Sequence, residues 1–147
     1  MKNFVLIALC LSGCDTPTTG VVLNAFTDDT EVSKVWWATT LFPDPLSPGE
    51  TSAEQRLVPT SDTAYALLSR KGSLIAVTSN NPWQVARSET LRIELAPGTI
   101  AGDCSAGSTL TPEVAEVITR RVFPSEFIGK NYDPATCAVT EAADAGP

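Results

Sequence analysis

The stretch ETLRIEL, Glu89 to Leu95, decides the fold class. Leu91, Ile93 and Leu95 alternate with Arg92 and Glu94, so a strand would put the apolar side chains on one face and the charged ones on the other. A helix would scatter the same residues around its circumference. The pattern predicts a strand in a sheet with one wet side and one face against a core.

Outward from this segment, short apolar runs recur between turn residues at intervals of about ten. Val21 to Phe26 is the first, and SKVWWATTLF, Ser33 to Phe42, is the longest, rich in β-branched and aromatic residues. Pro43, Pro45 and Pro48 of FPDPLSPGE cannot donate ladder hydrogen bonds, which predicts a crossing loop or a sheet edge. Gln55 to Val58 is a weak strand. Thr63 to Ser69, TAYALLS, is a strong one, and RKGS turns it into SLIAVT, Ser73 to Thr78, as a β-hairpin. SNNPW marks another turn.

Six or seven such strands in about 80 residues describe a β-sandwich. An apolar strand, an L-x-P-G loop at Leu46 to Gly49 and then YALL follow one another in an order that resembles the immunoglobulin-like or transthyretin-like sandwiches of exported bacterial proteins. The resemblance implies a mainly β fold and carries no active site with it.

Past Gly102 the character changes. In TPEVAEVITRR, Thr111 to Arg121, Thr111 suits an N-cap, Pro112 the first helical position and Glu113 the first turn. Val114, Val117 and Ile118 form a stripe at helical spacing, Glu116 and Arg120 stand one turn apart, and the two arginines suit the C-terminal dipole. One helix laid on the sandwich is predicted, followed by the loop FPSEFIGKNYDPATC. Residues 140–147 read as a frayed tail.

The chain begins with one positive charge, Lys2, ahead of an apolar run from Phe4 to Leu11, the layout of a secretory signal. That run falls far short of the roughly 20 residues a helix needs to span a bilayer. Leu11-Ser12-Gly13-Cys14 resembles the lipobox of bacterial lipoproteins. The resemblance implies cleavage after Gly13, lipidation of Cys14 and a permanent anchor, because two or three acyl chains hold where one does not. Asp15 resembles the signal that retains some lipoproteins in the inner membrane, and both inner and outer membrane stay open. Residues 14–20 then form the lipidated cysteine and its tether, Asp15 to Gly20 reaching about 20 Å at 3.3 Å per residue, and 21–139 a single domain.

Removal of thirteen residues from 147 leaves 134, enough for one domain with a real core. Loss of Lys2 leaves nine basic against seventeen acidic side chains, a formal balance of −8. Such a balance keeps a protein soluble and repels nucleic acid, which is not an expected partner. Of the four cysteines, Cys10 leaves with the signal and Cys14 takes lipid. Cys104 and Cys137 remain, an even pair expected to oxidise outside the cytoplasm. The bridge would clip the helix and loop to the end of the last strand.

No catalytic template fits. The chain has no histidine, so Ser-His-Asp, Cys-His and the usual zinc sites lack a member. Around FIGKN, Pro124 stands where a phosphate loop needs its first glycine and Asn131 where it needs Ser or Thr. The acids of TDDTE, Asp28, Asp29 and Glu31, lack EF-hand spacing and read as a solvated turn rather than a calcium site. No metal and no cofactor is expected. Trp36 and Trp37 are the candidate binding residues, because neighbours in a strand point to opposite faces and an outward indole can stack on a sugar or anchor a protein. The alternative buries one in the core and covers the other with the helix. Trp83, beside a turn, reads as a cap on the sandwich end.

The expected protein is a non-enzymatic lipoprotein of the cell envelope, with the membrane as one partner through its anchor and an envelope protein as another. A glycan-binding module using an exposed tryptophan is the alternative, and an enzyme working with carboxylates alone comes third.

Overall fold

ETLRIEL folds as its alternation predicts: Leu91, Ile93 and Leu95 are buried, while Arg92 and Glu94 share the wet face, 3.6 Å apart as an ion pair. The computed structural model describes residues 16–142; residues 1–13, in which a signal is expected, Cys14, Asp15 and residues 143–147 lie outside them.

Among the described residues the chain is mainly β, with several sheets, one short helix and one disulfide. A three-stranded sheet holds β1 (Thr19–Asn24) between β4 (Gln55–Arg56) and β9 (Thr90–Leu95), the last parallel to β1. A five-stranded sheet has the order β10 (Ile100–Ala101), β7 (Ser73–Ser79), β6 (Ala64–Arg70), β2 (Glu31–Trp37) and β3 (Thr40–Phe42). Two short ladders complete the set, β5 (Thr60–Asp62) with β8 (Trp83–Val85) and β11 (Lys130–Asp133) with β12 (Ala138–Glu141).

The larger sheet is covered on both faces. Val35 and Trp37 of β2, Ala66 and Leu68 of β6 and Val77 of β7 share one core with Val22 of β1 and Ile93 of β9. On the reverse face Leu67 and Ala76 pack with Ala115, Ile118, Phe123 and Phe127 of the C-terminal segment. Period-two alternation therefore sorts β6 and β7 between two cores, which is why YALL and SLIAVT read as unbroken apolar runs. Each large side chain so buried stabilises by about 1.5–3 kcal/mol. In β2 a bulge between Val32 and Lys34 adds a residue, and this puts both Val32 and Val35 in the core despite their odd spacing.

The predicted hairpin at RKGS forms. Arg70 pairs with Ser73, and Lys71 and Gly72 take φ of 52° and 79°, the two left-handed positions that match a two-residue turn to strand twist.

Other expectations need correction. Ser33 to Phe42 is two strands, because Ala38 at φ 54° turns the chain and pairs Trp37 with Thr40. The helix begins as expected: the Thr111 hydroxyl accepts the Val114 N–H at 3.3 Å, with Pro112 in the first turn of α1 (Pro112–Glu116). It then widens into a π-helical stretch, Val117–Val122, closed by Phe123 N–H on the Ile118 carbonyl at 2.9 Å. The widening shifts the buried stripe to Ala115, Ile118 and Thr119 and leaves Val117 half-buried. FPSEFIGKNYDPATC is not a plain loop, since it holds a 3₁₀ turn at Pro124–Phe127 and strand β11. Residues 140 and 141, read as tail, belong to β12.

Candidate functional site

The C-terminal layer is fastened to the sheets at one corner. Gly102, at φ 105°, lies so close to β7 that a Cβ there would come within 2.9 Å of the Ala76 carbonyl oxygen. Asp103 follows, almost wholly buried, and accepts the Ser105 N–H at 3.1 Å as the cap of a 3₁₀ turn, Cys104–Ala106. Its two oxygens also accept from Arg70 at 2.8 and 2.9 Å, the bidentate geometry that planar guanidinium and carboxylate favour. Arg70 Nε donates to the Thr30 hydroxyl at 2.8 Å, and its guanidinium lies 5.9 Å from the Phe26 ring centroid. Hydrogen bonding from Arg70 holds the Asp103 carboxyl below the usual range, and the same bonds raise the Arg70 pKa. Cys104 is bonded to Cys137, with Cα atoms 6.0 Å apart and a separation of 33 positions along the chain. The disulfide thus ties the segment after β10 to the turn of the β11–β12 hairpin.

Between that hairpin and α1 runs a cleft of about 440 Å³, within the size range of ligand pockets. Glu116, Thr119 and Arg120 line the helical side, and Lys130, Asn131 and Tyr132 the strand side. Tyr132 is set by the core: its hydroxyl accepts the Ala76 N–H at 3.1 Å, and its ring meets Phe127 edge-on at 5.8 Å. β10 reaches only Thr78 and Ser79, so the phenol satisfies a donor of β7 beyond the end of that ladder. Burial pushes the Tyr132 pKa up, so it stays a neutral phenol. Thr119 is also committed, donating to the Ala115 carbonyl at 2.9 Å. That leaves Arg120 and Lys130 as the cations on opposite walls, with Glu116 as the carboxylate. An ion pair between Lys34 of β2 and Glu126 fastens the floor of this layer to the sheet. The arrangement can hold a polar chain with negative charge.

The tryptophans do not form a joint site. Trp37 is completely buried, and its indole N–H donates to the Asp62 carbonyl at 2.9 Å, so no ring face is open for stacking. Trp36 is half-buried on the opposite face, against the C-terminal layer with Tyr65. Trp83 packs on the main core beside a hollow of about 200 Å³ lined also by Asn81, Pro82, Gly98 and Thr99. In TDDTE, the Asp28 carboxylate accepts the Thr30 N–H at 3.0 Å and faces Arg70 at 3.8 Å; chiefly the bond from Thr30 lowers its pKa. Among the described residues no group of three potential ligands converges on a metal position, and no helix is long and apolar enough to cross a membrane. Cys14 lies outside them.

Sequence reasoning missed Arg120, Lys130 and Tyr132 as a set. A signal was present: KNYD and AVTE flank DPATC, two short runs around a turn. Comparison with known proteins returns no matching family model, no similar curated protein and no similar solved structure.

Proposed function

We propose that this chain is a lipid-anchored lipoprotein of the bacterial envelope, with an immunoglobulin-like or transthyretin-like sandwich, whose work is to bind another envelope protein rather than to catalyse a reaction. The observation that carries the binding role is Ile128, 77% exposed, two residues before Lys130 of the cleft. An open apolar side chain beside a charged, concave rim is the composition of a protein interface centre and its edge. The lipobox resemblance supports the anchor. Thr18 is already docked, its carbonyl accepting from Leu57 N–H at 2.8 Å and its hydroxyl from Ser88 N–H at 2.9 Å. A lipid on Cys14 would hold the domain within about 13 Å of the membrane, four residues at 3.3 Å each. The competing glycan reading has only half-covered Trp36 of its two candidates left, which favours the protein partner.

Two measurements test the reading. The intact mass of protein extracted from membranes in detergent should match a chain beginning at Cys14 plus acyl groups. A photo-crosslinking residue at position 128 should capture one envelope protein in cells, whereas the same residue at Arg92, on the wet face of β9, should not. An unacylated mass defeats the anchor, and equal capture from both positions, or monomer alone, defeats the binding role.

A further inference from the structure

Strand β11 forms one wall of the cleft, and its pairing shows which of its residues direct backbone groups away from β12. Among the described residues it is bonded to β12 alone, in a two-stranded sheet. The Ala142 N–H donates to the Gly129 carbonyl at 2.8 Å, in the same register that pairs Lys130 with Glu141 and Asn131 with Thr140. Antiparallel ladders alternate, so Asn131 and Asp133 direct their backbone groups to β12 while Lys130 and Tyr132 direct theirs to the other edge. Three consecutive residues, Lys130, Asn131 and Tyr132, line the cleft. Successive side chains of a strand point to opposite faces, so a surface that meets all three runs along the strand's edge rather than over one face.

The opposite wall is α1 with its π-helical extension, bearing Arg120 and Glu116. A groove between an unpaired strand edge and a helix is the geometry in which extended peptides add as a further strand. Its charge selects the peptide: in a chain of net charge −7, Arg120 and Lys130 set two cations against one carboxylate here. We propose that the cleft binds an extended, acidic peptide segment of the partner, which pairs with the Lys130 and Tyr132 backbone as a third strand on β11 and places carboxylates on Arg120 and Lys130. This rests on the protein-interaction reading above. The four residues of β11 give a footprint of about 13 Å. A rival account makes Lys130 only a guard that keeps a bare edge from pairing at all.

The test uses detergent-solubilised, disulfide-intact protein and a fluorescent hexapeptide alternating valine and glutamate, blocked at both ends. Two counterparts accompany it, one with lysine for glutamate and one N-methylated on every second peptide nitrogen, in both phases of the alternation. The glutamate peptide is expected to bind at least about tenfold more tightly than either counterpart in its disfavoured form, the loss of two backbone hydrogen bonds being of that order. It should also shift the amide resonances of Lys130 and Tyr132. The double change Arg120→Glu, Lys130→Glu should reverse the preference towards the lysine peptide. Indifference to N-methylation, shifts confined to other residues, or no binding of the glutamate peptide each overturn strand addition. If crosslinking at position 128 still captures a partner in that event, the interaction reading stands and only its peptide mode falls.

Discussion

At Arg70 one guanidinium serves three segments: it donates to Thr30 ahead of β2 and to both oxygens of Asp103 behind β10, and it lies over Phe26 behind β1. Replacement by methionine would leave Asp103 charged and buried without its partner, at a cost of about 3–5 kcal/mol. Arg70 holds the Asp103 pKa down, so the pair's contribution is complete above the unfolded carboxyl value of about 3.9 and is lost as pH falls through the lower folded value. Urea unfolding of Arg70→Met should show a large deficit against the parent at pH 7 that narrows below about pH 4. An equal deficit at both ends of that range would show that packing, not charge, is what the arginine supplies. Nothing in the sequence flagged this residue, which reads as the first member of the turn RKGS, because its acceptor lies 33 positions away. Trp36 and Trp37 show the other side of local reasoning. Their opposite orientations were legible from strand geometry, but which covering each would receive depended on a layer the alternation could not place.

The elements of the C-terminal layer are short, and the bridge between Cys104 and Cys137 does for them what area does for the sheets. Changing both cysteines to serine removes a cross-link over 33 positions, which the chain-entropy description values at about 3.5–4 kcal/mol. The double variant should lose that much in chemical denaturation while the parent under reducing conditions matches it; a deficit below about 1 kcal/mol would mean the hairpin is held without the bridge. The pairing was legible by elimination and compartment. The start of α1 was legible too, because Thr111 and Pro112 are local signals. The π-helical stretch was not, since it arises from fitting Ile118 and Phe123 onto the back of β6 and β7. The hairpin β11–β12 escaped because four-residue strands carry too little alternation to rise above a loop.

Across the whole molecule, the mainly β character followed from ETLRIEL and its neighbours, while the unbroken apolar run in SLIAVT held a sign of two-sided burial that the hairpin reading did not use. Sheet order was not legible, and least of all the parallel pairing of the first strand with the ninth. That pairing has a mechanical consequence. Six pairs, from Thr19 with Thr90 to Asn24 with Leu95, lie side by side with the N-terminal end of β1 and the C-terminal end of β9 at opposite extremes. Tension between a point ahead of Thr18 and the C-terminal layer pulls these two strands past one another, so their bonds resist together. Tension between positions 16 and 88 peels them apart one at a time. Single-molecule pulling from the chain ends should give a higher rupture force than pulling from those two positions, and equal forces would show that another part of the fold yields first. If the domain is tethered ahead of Thr18 and gripped at its C-terminal layer, as proposed above, it would shear under load rather than unzip.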